Sequence, residues 1–552
     1  MNVIVIRIVR MLACVGLIVL IAIGLYGGWS ATHSLWPGFH EDSTMYSTVV
    51  INRANGLGDT FDVYTRMLRL ANGRNDFNLH GQLYYPVVAF LMRGTGYDSF
   101  LRMVHLSNLI AFVLSLLLFY AVPRRRIGCS RLVSGVCAVA SAFAISSVLQ
   151  YLQGRPDHGI VLVLLLSGLI SEFFFRERVP PLFLGIQIGV IAAISPFPGY
   201  LVGVFSVFGA LLGSAPLRRV IIDATISLIV AGVCWAALTA IVYPGPLMDL
   251  FVKTVSYGAK DHAGLFSLYY KFPAINISRF AKSWVTIKFA PLLIMPFALV
   301  SLIVVALSVK KSRSDSPLLI RILVLAFLFI LPGQLWFFVV YWPEINYSLL
   351  GLFPAIFLWI LRQAELLKGI SGFAFRLEER NRNILYSIDL SPGNLIVAGV
   401  FIYAVIVFMP GLGYLRSSLL QRSVLTGGVS FEVARDRYQD LKRTLAEDEY
   451  ILISEYSSPS GRSPVVLSGP PWKTRASVLG NNLNDSFTSL RAKYYFVLQD
   501  QLSDTNIPET TKGYRLIEKR FTPTPVVLGG MRISSVIPGY AYAIYEKEAD
   551  GK

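Results

Sequence analysis

Long apolar stretches, separated by short polar or basic segments, run through the first three quarters of the chain. Each is long enough to cross a bilayer core of about 30 Å as a helix. We place eleven such spans, near residues 3–27, 104–122, 132–151, 159–175, 181–197, 200–214, 219–242, 290–309, 317–341, 345–361 and 393–410. We expect the first span to stay as an anchor, because its apolar stretch is long for a signal peptide. The pattern predicts a polytopic α-helical membrane protein with about 11 transmembrane helices.

Three larger segments separate or follow these spans, at 28–103, 243–289 and from 411 onward. Apolar residues recur at helical spacing in Phe61–Leu70, which predicts an interfacial helix. The segment Gly81–Met92 predicts a second, partly re-entrant helix. We therefore divide the chain into a transmembrane domain, 1–410, which includes the loop 28–103, and a smaller domain, 411–552.

The pattern changes in the last 140 residues or so, where charged and β-forming segments replace the apolar spans. Phe431–Leu445 has helical periodicity. Short runs rich in aromatic and β-branched residues follow, between clusters of Gly, Pro, Asn and Ser. The runs are Tyr450–Ser454, Tyr494–Leu498, Tyr514–Glu518 and Tyr540–Tyr545. These features predict a small α/β domain.

Alternate short loops differ in their Lys and Arg content, which is the quantity that sets orientation. The basic segments are those at 1–10, 123–131, 172–178, 214–223, 310–321 and 362–389. The short loops near 152–158, 197–200 and 342–346 contain a single basic residue, Arg155. We therefore expect a cytoplasmic N-terminus, with the loop 28–103 and the domain 411–552 on the external face.

Composition agrees with this interpretation. The chain is 54% hydrophobic and only 15% charged, which excludes an ordinary soluble globular protein. The formal net charge of +17 is largely explained by the cytoplasmic loops, whose basic residues face anionic lipid. The partners to expect are therefore membrane lipids, and the charge does not call for nucleic acid.

Glu41 and Asp42 are the first candidates for chemistry, because adjacent carboxylates close to a membrane boundary are costly to place there. An external carboxylate of this kind can act as general base for an acceptor hydroxyl or amine. The structural alternative is that Asp42 caps the N-terminus of a helix.

The second candidate is the external turn Gly154-Arg155-Pro156-Asp157-His158. A guanidinium there can pair with phosphate oxygens, and a carboxylate can hold a metal or a sugar hydroxyl. The structural alternative is an Arg155–Asp157 ion pair with a proline-defined turn at the start of the next span.

Several other residues complete the candidate site. Tyr84, Tyr85 and Lys271 lie at predicted outer-leaflet depth, where they would contact a donor phosphate or sugar, or serve only as interfacial anchors. A set of nitrogen and oxygen ligands suits Mn²⁺ or Mg²⁺ if its members converge. That set consists of His40, Glu41, Asp42, Asp157 and His158, with His40 and Asp157 as the preferred pair.

The layout resembles the GT-C superfamily of membrane glycosyltransferases, which includes protein O-mannosyltransferases and lipid A aminoarabinose transferases. The resemblance covers the whole chain in layout and is specific at His40–Asp42, Gly81–Pro86 and Arg155–His158. It implies a sugar donor on a polyprenyl phosphate and a glycan, lipid or protein acceptor. It also implies an external active site in a bacterial inner membrane, so that the domain 411–552 would be periplasmic.

Residue roles follow from this resemblance. Asp42 would be the catalytic base or orient the acceptor, with Glu41 as the close alternative, and Asp157 would face the donor phosphate or its metal. The oligosaccharyltransferase subunits of the superfamily carry a WWD-like motif in their C-terminal domain. This chain has none there, so asparagine-linked transfer is not expected. The alternative function for this layout is a transporter or flippase of lipid-linked sugars.

Overall fold

The described part of the chain comprises apolar helices followed by a small mixed sheet. A computed structural model describes the residues 3–32, 49–51, 53–54, 56, 83–93, 97–151, 154–175, 179–195, 198–199, 202–203, 206, 217–242, 354–355, 357–358, 361, 373–378, 384–390, 431–454, 474–477, 492–499, 508–511, 513–520, 527–528, 531–532 and 541–548. The predicted interfacial helix at Phe61–Leu70 lies outside them. So do all or most of the predicted spans near 200–214, 290–309, 317–341, 345–361 and 393–410.

Six of the predicted spans correspond to described helices. The helices with described bounds in the first 242 residues are α1 (Val3–Ala31), α2 (Tyr84–Leu91), α3 (Tyr97–Val122), α4 (Arg131–Tyr151), α5 (Pro156–Phe174), α6 (Pro181–Ile194) and α7 (Leu217–Val242). Among the described residues, four stretches are long and apolar enough to cross a membrane: Met11–Trp29, Arg102–Ile127, Pro156–Phe174 and Arg218–Val242. The chain is therefore an integral membrane protein, and the total of eleven spans stays a prediction.

Helix α3 begins earlier than the apolar pattern indicated. The predicted span started near residue 104, whereas the helix starts at Tyr97. The additional turns contain Asp98, Ser99 and Arg102, which interrupt the hydrophobic run without interrupting the backbone hydrogen bonds. The apolar pattern reports the part of a helix that suits lipid, and the helix itself can extend beyond it.

Glycines let two pairs of helices approach closely. A Cβ atom added at Gly185 or Gly189 of α6 would lie 2.6 Å from side-chain carbons of Val230 and Cys234 on α7, respectively. On α1, a Cβ at Gly28 would lie 2.8 Å from Leu109 of α3. Both arrangements follow the small-xxx-small rule for membrane helices, in which small residues bring the backbones together.

The predicted cytoplasmic ends of α3 and α5 are linked by basic residues. A π-helical turn, Pro123–Ile127, follows α3 and carries three arginines. Arg126 Nε donates to Glu172 Oε2 at 2.6 Å, and the Arg125 guanidinium lies 4.5 Å from the centre of the Phe173 ring. These arginines therefore stabilise helix packing in addition to their expected role in orientation.

The C-terminal region contains helix α8 (Phe431–Arg443) and a six-stranded sheet. Before it lies an antiparallel hairpin, β1 (Phe373–Glu378) and β2 (Ile384–Leu390), which the apolar pattern did not predict. The remaining strands are β3 (Tyr450–Ser454), β4 (Thr474–Ser477), β5 (Ala492–Gln499), β6 (Thr510–Thr511), β7 (Tyr514–Arg520), β8 (Val527–Leu528), β9 (Met531–Arg532) and β10 (Ala541–Lys547). The predicted helix and all four predicted strands are confirmed as elements.

The six-stranded sheet has the order β4-β3-β5-β10-β7-β6. β3 is parallel to β4 and β5, whereas β10 is antiparallel to β5 and β7. A separate short ladder joins β8 and β9. The described elements of this region are thus a helix and a mixed sheet. The assignment of 411–552 as a separate external domain stays a prediction.

Aromatic side chains form the core between the sheet and α8. Tyr438 packs edge-on against Phe496 with ring centroids 5.5 Å apart, and Phe496 stacks on Tyr542 at 5.6 Å. The Tyr542 hydroxyl donates to Glu518 Oε1 at 2.7 Å, and Arg437 Nε donates to the other oxygen of that carboxylate at 2.6 Å. Burial and the Glu518 hydrogen bond raise the pKa of the Tyr542 phenol to about 12, so it stays a donor at neutral pH.

Candidate functional site

The candidate site is built on the first turn of α5. Gly154 has a φ of +77°, a conformation that glycine adopts at little cost, and it reverses the chain before the helix. Arg155 is extended at the N-cap and Pro156 occupies the first helical position. Asp157 and His158 therefore project from the first turn, where the helix dipole favours negative charge.

Arg155 and Asp157 form a buried ion pair. The Nε atom of Arg155 donates to Oδ2 of Asp157 at 2.9 Å, and the two residues are 2% and 3% exposed. This confirms the geometry of the structural alternative, the ion pair with its proline-defined turn. A buried pair of this kind is weak evidence for stability, since desolvation of both ions can exceed their attraction. The pair is thus compatible with a ligand-binding role as well.

Tyr84 brings helix α2 against this turn. A Cβ atom added at Gly159 would lie 3.3 Å from Cδ2 of Tyr84, so the ring lies directly on the first turn of α5. Tyr84 is also close enough to Asp157 for an electrostatic interaction. The end of α6 holds the start of α2, because Leu83 N donates to the carbonyl of Ala193 at 3.1 Å.

Tyr85 lies beside Tyr84, with the two rings edge to face and their centroids 5.8 Å apart. Both side chains are buried in protein. An interfacial anchor would instead present its ring to lipid headgroups. The burial of these tyrosines therefore fits a site between α2 and α5 better than an aromatic belt.

His158 connects the turn to α3. Its Nε2 atom lies 2.5 Å from Oδ1 of Asn108 and 3.4 Å from Oγ of Ser107. His105 lies one helical turn before Asn108 on the same face of α3. Asn108, His158 and His105 are all buried. A polar cluster thus occupies the space between the N-terminal halves of α3 and α5.

Sequence reasoning missed His105 and Asn108. A signal was present, because a histidine and an asparagine three residues apart interrupt the apolar pattern and share one helix face. Polar residues within a membrane span are expensive and point to a function by default. The interpretation of 104–122 as an ordinary span passed over them.

The structure brings together Tyr84, Tyr85, Arg155, Asp157 and His158 out of the predicted site. His40, Glu41, Asp42 and Lys271 lie outside the described residues. Within the described part of the chain, no group of three His, Cys, Asp or Glu residues is placed to hold a metal ion. The Mn²⁺ or Mg²⁺ site with His40 and Asp157 therefore stays a prediction.

The arrangement suits a polar, negatively charged group. It offers a guanidinium, a helix N-terminus and buried hydrogen-bonding groups within an apolar surrounding. Electrostatic interactions are stronger in such a setting than in water. The cluster can therefore bind and orient a phosphate or a sugar hydroxyl.

No family model matches the chain, and a comparison with curated proteins gave no match. The chain is similar to the solved Archaeoglobus fulgidus oligosaccharyltransferase in complex with Zn and sulfate, with a TM-score of 0.42 and 10% identity over 87% of this chain and 67% of that chain. The apo form gives a TM-score of 0.40 and 12% identity, over 88% and 69% of the two chains.

A third similar structure is archaeal oligosaccharyltransferase AglB from Archaeoglobus fulgidus in complex with an inhibitory peptide and a dolichol-phosphate. Its TM-score is 0.40 and its identity 11%, over 88% of this chain and 69% of that chain. TM-scores below 0.5 at this identity do not establish a shared activity. The function proposed next therefore rests on the residues of this chain.

Proposed function

We propose that the chain is a membrane glycosyltransferase of GT-C type. It moves a sugar from a polyprenyl-phosphate-linked donor to a glycan, lipid or protein acceptor on the external face. The observation that carries the proposal is the buried Arg155–Asp157 pair at the start of α5, with Tyr84 and His158 packed against it. Ionisable groups buried at the end of a membrane span require a reason, and a charged ligand is one.

The donor phosphate binds at this turn. Asp157 fixes the Arg155 guanidinium, and the N-terminus of α5 adds its partial positive charge. Lys271, Tyr84 and Tyr85 complete the donor site. A lipid phosphate leaves with negative charge, so it needs electrostatic stabilisation more than it needs a proton. Arg155 supplies that charge at a site from which water is largely excluded.

The reaction is a single displacement. Asp42, or Glu41 in its place, takes the proton of the acceptor hydroxyl or amine, and the acceptor atom attacks the anomeric carbon. The bond between that carbon and the phosphate oxygen breaks, and its electron pair leaves with the lipid phosphate. One displacement gives one inversion of configuration at the anomeric carbon.

A divalent cation fits the proposal as a second source of positive charge. His40 and Asp157 would hold Mn²⁺ or Mg²⁺, which would screen the donor phosphate. We place the enzyme in a bacterial inner membrane, with a cytoplasmic N-terminus and the residues 411–552 in the periplasm.

Sugar transfer from a labelled polyprenyl-phosphate donor tests this function. Membranes with the wild-type chain should transfer label, and Asp42→Asn should lower the rate by about 10²–10⁴, the usual contribution of a general base. Comparison of Glu41→Gln with Asp42→Asn shows which of the two carboxylates is the general base. EDTA, followed by Mn²⁺ or Mg²⁺, decides the role of a metal.

Asp59→Asn is the matched control, because it neutralises another carboxylate of the same predicted external loop. It should leave transfer unchanged, at equal amounts of protein in the membrane. Full activity of both Asp42→Asn and Glu41→Gln would remove the proposed base. Absence of transfer from every polyprenyl-phosphate donor would contradict the enzyme and favour translocation of lipid-linked sugar.

A further inference from the structure

The Asn108 side chain of α3 has a hydrogen-bond donor in an unusual position. The residue is 2% exposed, and its Oδ1 atom lies 2.5 Å from Nε2 of His158. Its Nδ2 atom has no hydrogen-bond partner among the residues that the structure describes. A buried amide N–H without a partner is destabilising, so its presence calls for an explanation.

The position of Asn108 links this donor to the proposed phosphate site. His158, its hydrogen-bonded neighbour, directly follows Asp157 of the buried ion pair. The two terminal atoms of an amide diverge, so an oxygen held by His158 leaves the nitrogen directed away from His158. The Ser134 and Ser171 hydroxyls, which also have no partner among the described residues, lie near the start of α4 and the end of α5, away from this cluster.

We infer that Asn108 is a donor-substrate-binding residue and that His158 positions its amide. The Nδ2 group donates a hydrogen bond to an acceptor oxygen of the polyprenyl-phosphate sugar, either on the phosphate or on the sugar. This inference rests on the proposed function and adds to it a residue of a membrane span. The ligand supplies an acceptor for this N–H, which has none among the described residues.

Ligand-dependent thermal stabilisation of the full chain in detergent tests the inference without catalysis. A ligand that binds only the folded protein raises its unfolding temperature according to concentration and affinity. The probes are a polyprenyl phosphate and the same lipid carrying a sugar. We expect Asn108→Leu to weaken binding of one or both about tenfold or more, as for a lost hydrogen bond to a charged group. Loss with the bare lipid phosphate assigns the bond to the phosphate, and loss only with the sugar-linked lipid assigns it to the sugar.

Asn108→Asp separates ligand binding from a structural role. The variant is nearly isosteric and keeps an acceptor for His158, but a carboxylate repels a phosphate oxygen. If Asn108 binds the donor, the Asn108→Asp variant should bind the donor lipid as weakly as the Asn108→Leu variant, or more weakly. If Asn108 only supports His158, the Asn108→Asp variant should bind the donor lipid with wild-type affinity. That result would overturn the inference. Asn108→Asp also carries the test if Asn108→Leu fails to fold.

Ser134→Ala is the matched control, because it removes a buried hydroxyl without a described partner near the start of α4, away from Asn108. It should leave both affinities unchanged. Wild-type affinity in both Asn108 variants would overturn this inference and leave the proposed function intact. No stabilisation of the wild-type chain by either lipid would overturn both.

Discussion

Arg155 and Asp157 have a structural role in helix packing and a proposed role in donor binding, and substitutions can separate the two. Their ion pair is a packing element of the first turn of α5, and it is also the charged centre of the proposed donor site. Removal of one partner leaves the other as a buried, uncompensated charge. Replacement of both residues by apolar side chains leaves no buried charge, which proteins tolerate much better. Stability and activity should therefore respond differently to single and double substitutions.

The single variants Asp157→Leu and Arg155→Leu should each lower the free energy of unfolding by about 3–5 kcal/mol, because an unpaired charge stays buried. The double variant Arg155→Leu/Asp157→Leu should recover most of that loss and still show no sugar transfer. Thermal unfolding in detergent measures the first effect, and transfer of labelled sugar measures the second. Activity in the double variant would show that the pair is structural only.

Residue identity in the sequence predicted part of this cluster. Arg155, Asp157 and His158 stood out because they are ionisable residues in an otherwise uncharged short loop. Asn108 and His105 interrupt the apolar pattern of α3, but the contact of Asn108 with His158 spans 50 residues of chain and leaves no periodicity to read. The distance from Asn108 to His158 depends on how α3 packs against α5, and side-chain packing of that kind is absent from a hydropathy pattern.

The helices pack closely where glycine replaces a side chain. Gly185 and Gly189 are four residues apart on α6 and face Ser227, Val230 and Cys234 of α7. Apolar side chains gain little from burial against one another in lipid, so close backbone approach and dispersion hold such a pair together. The apolar pattern predicted both helices, but it did not predict which faces of the two helices are in contact.

Gly189→Val should separate α6 from α7. Its Cβ would come within 2.8 Å of the Ala231 carbonyl oxygen, which cannot rotate away. We expect the free energy of unfolding to fall by about 1–3 kcal/mol, as for other overpacked sites. Gly232→Val on α7 is the control, since a Cβ there meets nothing within 4 Å. Equal melting temperatures for the two variants would contradict close packing of the pair.

Strands were predictable to different degrees for physical reasons. β3, β5, β7 and β10 contain aromatic and branched residues that favour a strand by themselves. β4 is four residues long and reads Thr-Arg-Ala-Ser, so its strand character comes from pairing with β3. Propensity alone does not reveal a strand of that kind, because β structure depends on its neighbours.

At the scale of the whole molecule, orientation decides whether the site can work as proposed. The basic residues of the π-helical turn Pro123–Ile127 predict that it lies in the cytoplasm, and alternation of the predicted spans would then place the start of α5 outside. The same predicted alternation would put the C-terminal sheet on the side of the site. Donor, acceptor and sheet would then share one compartment.

Cysteine labelling tests this orientation directly. The four native cysteines, Cys14, Cys129, Cys137 and Cys234, are first replaced. New single cysteines are then introduced at Ser130, which is exposed just before α4, and at Glu509, which is exposed in the C-terminal sheet region. A membrane-impermeant maleimide on cells with a permeabilised outer membrane should label Glu509→Cys and not Ser130→Cys. Inverted inner-membrane vesicles should give the opposite pattern, and detergent should expose both.

The labelling result bears on mechanism as well as topology. A polyprenyl-phosphate sugar presents its sugar on one face of the membrane, so an enzyme with Asp42 and Asp157 must meet it on that face. Labelling of Ser130→Cys from outside would place the start of α5 in the cytoplasm and require a cytoplasmic donor. Labelling of both positions from outside would break the alternation of spans between α4 and the sheet. Only the pattern with Glu509 outside and Ser130 inside leaves the buried ion pair, the candidate base and the C-terminal sheet on the same side as an external acceptor.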